Sequence, residues 1–454
     1  MELKNLFNPK VVAVIGASRD PEKVGNVLMK NIMESGSGRT VIPINPSASE
    51  VLGKVSYKSI KDPKEKIDLA VIAVPAKSVM DSVKECNEKG VRDLIIVTSG
   101  FSEMGNKKTE EKLKSFLNQN KMRAVGVNCL GIYDAKSSLN ALFIPKERMK
   151  FPKPGGISFV CQSGAIGLAI IDLAAARGYR FSKFISYGNA TQLDESDYLE
   201  YLSEDKDTRV ICMYIEGVKD GKKFFETARK VAKKKPIVVV KGGLSEEGKK
   251  AALSHTGSLA GTKEVYYGIF EQINMIKADN LEEMFYVASV LENPVSIKGN
   301  RIQIITNGGG YGIVSTDAIS ESRNLKFAEL SEKTQKTLKK TMPDYVHIRN
   351  PLDISGDATS QRYKDALTNI LSDKNVDIIL LVALYQTPLI TEDITNIISK
   401  AKAGTKKPII VVSTGSDFTE KLSQKLEEHN IPVFMFPHSA ITAIDRIVGY
   451  IKKR

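Results

Sequence analysis

Tryptophan is absent from this sequence, and histidine and cysteine are scarce, with four of each in 454 residues. The missing tryptophan excludes nothing. The cysteines, Cys86, Cys129, Cys161 and Cys212, never fall at a CxxC spacing, which argues against a structural zinc site. They are expected to be free thiols, mostly buried, in a reducing compartment. No apolar run approaches the roughly 18 residues of a membrane helix. The first ten residues, MELKNLFNPK, lack an apolar core and a small-residue cleavage site. A secretory signal is therefore not expected, and the cytoplasm is the expected location.

An acidic excess is also missing. Lys and Arg number 66 against 53 Asp and Glu, for a net charge of +13. The basic blocks KKTEEKLK, ARKVAKKKP and AKAGTKKP mix lysines with acids, and aromatics do not interleave with them. A solvated surface explains this better than nucleic-acid binding. A basic surface also suits polyanionic small ligands such as nucleotides and CoA. Hydrophobic residues at 42% and charged residues at 26% describe a globular protein of about two to four domains.

What the chain has in quantity is a repeated phrase: a short β-branched run, then Gly or Ser, then a helical pattern. It occurs at 11–18 (VVAVIGAS), 68–75, 93–100, 156–167 (GISFVCQSGAIG), 209–217, 235–243, 301–312 (RIQIITNGGGYG), 376–384 and 407–415. The runs are apolar throughout rather than alternating, as parallel strands buried on both faces are. The expected class is α/β, doubly wound several times over. GISFVCQSGAIG and RIQIITNGGGYG echo each other, and each is followed later by a similar phrase, KKKPIVVVKGG and TKKPIIVVSTG. Two related domains are expected at 150–290 and 300–454, after a different one at 1–130. Pro and Gly cluster at the breaks, FPKPGG and LENPVSIKGN.

In the first domain, VVAVIGASRDPEKVG sets a strand before Gly16-Ala17-Ser18 and ends in Gly25. Small residues there let backbone N–H groups approach a phosphate at a helix start. The glycine pattern is not a full GxGxxG. The second strand, TVIPINP, ends in Asn45-Pro46 where a dinucleotide site carries a ribose-binding acid. An NAD-dependent oxidoreductase is thus the weaker reading, and another adenine nucleotide the better one. A tight turn with no ligand is the plain alternative. Val74-Pro75-Ala76, Thr98-Ser99-Gly100-Phe101 and Gly126-Val127-Asn128-Cys129-Leu130-Gly131 fall at the ends of further strands. With Ser18 they would line one sheet edge, where open α/β sheets bind ligands.

In the second domain the run ISFVC leads into Ser163-Gly164-Ala165 and an apolar helix. Such a helix start offers N–H groups and a positive dipole end to an anion, although Ser163 can equally serve only as a cap. The phrase AALSHTGSLAG places His255 among small residues, with no Cys, Asp or second His close by to share a metal. Its imidazole can approach a phosphate unhindered and act as a nucleophile toward phosphorus. The phosphohistidine formed would need an anion host such as 163–165. The ring also needs an acid on its other nitrogen. Glu216, at the end of RVICMYIE, is the candidate, because an acid ending an apolar strand is costly without a partner. His347, His429 and His438 read as surface or capping residues.

Taken in order, IGASRDPEKVG, VPAKSV, TSGFSE, GVNCLG, CQSGAIG, SYGNATQLDESDYLEYL, YIEG, KGG with SHTGSLAG, TNGGGYG and NPLDISGDAT cover essentially the whole length. The chain resembles the α subunit of the ADP-forming acyl-CoA synthetases (acetate–CoA ligases) of the archaeal type, in the succinyl-CoA synthetase superfamily. It departs from the common pattern at GVNCLG, where the family reads GPNCLG, and at CQSGA, where it reads SQSGA. The resemblance implies a Rossmann-like CoA-binding domain followed by two flavodoxin-like domains. It implies reversible conversion of acyl-CoA, ADP and phosphate to carboxylic acid, CoA and ATP through acyl-phosphate and a phosphohistidine at His255. CoA would lie near Gly16, Ser18, Lys23, Gly25, Val74, Pro75, Ser99, Gly100 and Asn128. Phosphate would sit at Ser163, Gly164 and Ala165, with Glu216 orienting His255. No ATP-grasp module is found, so the resemblance implies a separate β subunit carrying ADP/ATP and Mg2+, in an α2β2 assembly. His255 would then travel between two sites, helped by the small residues Thr256, Gly257, Ser258 and Gly261. A ligase for succinate, malate or another acid, and a non-catalytic CoA-binding module, are the alternatives.

Overall fold

The computed structural model describes residues 3–36, 38–248, 262–292 and 297–454. The chain divides into two units, Met1–Met275 and Ile276–Arg454.

The first unit holds two sheets. The first is built from β1 (Val11–Ile15), β2 (Thr40–Ile44), β5 (Leu69–Ile72), β6 (Asp93–Ile96) and β7 (Arg123–Gly126), with a small hairpin, β3 (Glu50–Val51) and β4 (Lys54–Val55), set apart. The order is β2-β1-β5-β6-β7, and every pairing is parallel. Tyr57 adds a single parallel bridge to Ile44, outside β2. That bridge stands where the third strand of a Rossmann sheet would run, so the order is the Rossmann one with its third strand reduced to one residue. Ala13, Ile15, Ile72 and Ile96 enter one core, and Val12, Val14, Val71 and Val125 the other. Burial of both faces explains the unbroken apolar runs.

The second sheet contains β8 (Gly131–Asp134), β9 (Leu139–Leu142), β10 (Pro154–Cys161), β11 (Phe181–Ser186), β12 (Val210–Ile215) and β13 (Ile237–Lys241). Its strands run β13-β12-β10-β11-β8-β9. Strands β10 to β13 are parallel, while β8 and β9 form an antiparallel hairpin on the β11 edge. The parallel part follows the flavodoxin order, with its switch point between β10 and β12.

The second unit begins with a short strand, β14 (Ile276–Lys277), and the helix Leu281–Glu292. Arg446, on the last helix, Pro437–Lys452, binds Asp279 at 2.8 Å and Glu283 at 2.9 Å. The sheet comprises β15 (Arg301–Thr306), β16 (Lys326–Phe327), β17 (Leu352–Asp353), β18 (Ile378–Val382), β19 (Ile409–Val412) and β20 (Val433–Phe434). Its order is β16-β15-β18-β19-β20, with β17 beside the far end of β15. This is again the parallel flavodoxin arrangement, so the echo between GISFVCQSGAIG and RIQIITNGGGYG marks the first strand and helix of two like sheets. Among the described residues no helix is long and apolar enough to cross a membrane.

Candidate functional site

At the edge of the first sheet, Gly16 follows β1 with φ +90°, and its N–H donates to Ile44 O at 3.0 Å. A Cβ there would meet Ala73 O at 2.3 Å, and one on Gly25 would meet Gly16 O at 1.9 Å. Both glycines therefore answer to close backbone approach. The helix that follows spans Val24–Met33. Gly25, rather than Gly16-Ala17-Ser18, thus lies in its first turn, and 16–23 form the loop over it. Lys23 is exposed just before the helix. Ser18 O accepts from Asn26 Nδ2 at 2.8 Å, and Ser18 Oγ from Asp20 N at 3.1 Å. Asn45, in the place of the ribose-binding acid, donates instead to Ala17 O at 2.7 Å.

The ends of β5, β6 and β7 lie along the same edge. Val74 O accepts from Thr98 Oγ1 at 2.7 Å, and Pro75 caps the helix Ala76–Lys89. Ser99 is exposed. The N–H groups of Gly100 and Phe101 both donate to Glu103 Oε1, at 2.5 and 3.1 Å. Those two donors, which the sequence offers to a ligand, are held by the chain's own carboxylate. Asn128 has φ +53°, and its Nδ2 donates to Asn189 Oδ1 at 3.2 Å.

At the second sheet, Ser163 is the N-cap of the helix Gly164–Ala176, and its Oγ accepts from Ile166 N at 3.4 Å. It therefore does act as a cap, and the remaining N–H groups of the first turn open at the end of β10. A Cβ on Gly164 would lie 3.7 Å from Leu130 Cβ, and one on Gly188 would lie 2.0 Å from Asn128 O. The Asn128 loop and the Ser163–Ala165 turn thus meet within the first unit. Glu216 follows β12 directly across the switch point and is buried. Its N–H, with that of Gly217, donates to Gln162 Oε1, at 2.7 and 3.1 Å. His255, Thr256, Gly257, Ser258 and Gly261 lie outside the described residues. Those on either side of them converge: Lys241 Nζ sits 4.6 Å from the ring centroid of Tyr266.

Several functional candidates were not legible in the sequence. Asn189 Nδ2 lies within hydrogen-bond distance of Ser102 Oγ (3.1 Å), Glu103 Oε2 (2.5 Å) and Glu110 Oε2 (3.0 Å). Thr191 Oγ1 donates to Glu110 Oε1 at 3.0 Å, and Lys219 Nζ pairs with the same oxygen at 3.5 Å. Burial works to raise the Glu110 carboxyl, but hydrogen bonds from Ser102 and Asn189 and the charge of Lys219 hold it below its ordinary range. This network stands directly behind Asn128. Lys241 is the other omission. Burial drives its ammonium down to about 8 against the opposing charge of Glu216. The signal available was a lysine ending the apolar strand IVVVK, which burial makes as conspicuous as Glu216.

A Rossmann sheet followed by flavodoxin-like sheets, with an anion-ready helix start and a buried acid at a switch point, defines a CoA-ligase subunit of the succinyl-CoA ligase class. Family models agree: a CoA binding domain matches residues 10–135, a succinyl-CoA ligase like flavodoxin domain 154–291, and a ligase-CoA domain 302–447. The chain is 39% identical to the α subunit of acetate–CoA ligase [ADP-forming] II of Pyrococcus furiosus, covering 99% of this chain and 98% of that one. It is 39% identical to an acetate–CoA ligase [ADP-forming] of Methanocaldococcus jannaschii over 99% of its own length, but spans 63% of that longer protein. Among solved structures it matches the dinucleotide-forming acetyl-coenzyme A synthetase 1 of Ca. Korarchaeum cryptofilum, solved with phosphate and ADP. That match has a TM-score of 0.92 at 34% identity and covers 99% of this chain and 97% of that one. The chain belongs to the family of α subunits of ADP-forming acetate–CoA ligases.

Proposed function

We propose that the chain catalyses the acyl-transfer half of a reversible, ADP-forming acyl-CoA synthetase reaction, with acetyl-CoA as the acyl donor. CoA binds along the first sheet's edge, at Gly16, Ser18, Lys23, Gly25, Val74, Pro75, Ser99, Gly100 and Asn128. Phosphate binds at Ser163, Gly164 and Ala165. A phosphate oxygen attacks the thioester carbonyl, the C–S bond breaks, and CoA leaves as the thiolate. A nitrogen of His255 then attacks phosphorus, the acyl O–P bond breaks, and the carboxylate departs. An oxygen of the ADP β-phosphate takes the phosphoryl group from the P–N bond, giving ATP. Glu216 holds the second ring nitrogen and supports the charge of the phosphorylated ring.

The observation that carries this reading is the meeting of the Asn128 loop with the Ser163–Ala165 turn, beside a buried acid at the switch point. It brings a CoA-edge residue within reach of a helix start suited to phosphate. We place ADP/ATP and Mg2+ on a separate ATP-grasp β subunit in an α2β2 assembly in the cytoplasm. The functional division follows 1–130, 150–290 and 300–454. The test is reconstitution with a candidate β subunit, acetyl-CoA, phosphate, ADP and Mg2+. ATP and free CoA thiol are expected to appear in equal amounts and only with both chains present. CoA binding without turnover in any such mixture would reduce the chain to a binding module.

A further inference from the structure

Glu216 carries the acid of the proposed reaction, yet it stands one residue past the end of its strand, where backbone pairing no longer fixes it. Two side chains from the neighbouring strands take over. From the β10 side, buried Gln162 accepts the Glu216 N–H at 2.7 Å and the Gly217 N–H at 3.1 Å. From the β13 side, buried Lys241 donates from Nζ to Glu216 O at 2.8 Å and also to Gly242 O. Both polar edges of the Glu216 peptide unit are therefore gripped from opposite sides.

Lys241 is an expensive choice for a strand end. An aliphatic residue would fill the space without desolvating an ammonium. Its presence is explained by what it holds: two carbonyls that converge at one point, under the face of Tyr266. Gly242 is fitted to the same arrangement, since a Cβ there would lie 2.5 Å from the Tyr214 hydroxyl.

We propose that Gln162 and Lys241 are positioning residues that clamp the peptide of Glu216, Lys241 tying it further to Gly242, the chain's approach to the segment bearing His255. The proposal rests on the role given to Glu216 above. A carboxylate that must meet an imidazole in one orientation loses most of its effect when displaced by about 1 Å. The clamp supplies that constraint and touches no reacting atom.

The test follows the rate at which the purified chain, with a candidate β subunit present, takes up acid-labile label from acetyl-CoA and radiolabelled phosphate. Lys241→Met and Gln162→Ala are made in the wild type and in Glu216→Gln. CoA affinity, read on the first sheet, controls for folding. Each single variant is expected to slow labelling about 10- to 100-fold with CoA affinity unchanged, and Lys241→Arg to recover part of the loss. Neither is expected to slow Glu216→Gln further, because the clamp acts through that side chain. Wild-type rates in both single variants, or a full further loss in the Glu216→Gln background, would overturn the clamp alone. An unlabelled wild type, or Glu216→Gln labelling at the wild-type rate, would overturn the functional reading and the clamp with it.

Discussion

Gly25→Ala is the substitution for which the structure sets the sharpest expectation. The new methyl would lie 1.9 Å from Gly16 O and 2.8 Å from Gly16 C. Ordinary contact begins near 3.4 Å, so the start of the helix Val24–Met33 must withdraw from the strand by more than 1 Å. The partner atoms are backbone and cannot rotate away. Overpacking of this kind costs about 1–3 kcal/mol of stability. The helix start also leaves the edge proposed to receive CoA. Loss of one charge-assisted hydrogen bond, at about 1.5–3 kcal/mol, weakens binding roughly 10- to 150-fold. Gly268→Ala is the control: it lies within the helix Lys263–Gln272 with nothing within 4 Å of its added methyl. It is expected to gain about 0.5–1 kcal/mol and leave CoA binding untouched. Urea unfolding and calorimetric titration with CoA read both effects. Gly25→Ala with wild-type affinity and an unchanged unfolding midpoint would refute the close-approach argument.

Asn189→Ala strips a donor from buried Glu110 and frees the Asn128 amide. It should cost about 1–3 kcal/mol in urea unfolding and weaken CoA binding, whereas a silent variant would show the network to be incidental. Glu195 is buried, and burial first, then the charge of Asp194, pushes its carboxyl up to about 7. Its folded-state value exceeds the unfolded one, so the folded chain holds the extra proton between pH 4.5 and 7. The stability it contributes is full below that window and is lost as pH rises through it, by about 3 kcal/mol. Glu195→Gln should flatten this slope in unfolding curves taken from pH 5 to 8; an unchanged slope would place the titration elsewhere.

Each β-branched run that ends in Gly or Ser is a strand, from β1 at Val11–Ile15 to β19 at Ile409–Val412. Strands buried on both faces with an unbroken apolar run leave a signal within a few residues, and the following small residue marks the turn; β11 (FSKFIS), buried throughout, was missed because Ser and Lys interrupt its run. The antiparallel hairpin of β8 and β9 left no such signal, because short strands on a sheet edge need neither a long apolar run nor a glycine turn. Glu216 was legible because an acid at the end of an apolar strand is locally anomalous. Asn189 and Glu110 were not. They meet across 79 positions of sequence, and each alone reads as an ordinary polar loop or helix residue. Lys241 shared the anomaly of Glu216 but was absorbed into a strand-ending KGG phrase.

Phosphoryl transfer to a single side chain decides whether the reaction runs through His255. The wild-type chain and His255→Ala are incubated with acetyl-CoA and radiolabelled phosphate, with a candidate β subunit present. Acid-labile, base-stable label is expected on the wild type, lost when CoA is added back in excess, and none on the variant. Label of equal amount on both chains, or none on the wild type while CoA still binds, would contradict the route through His255.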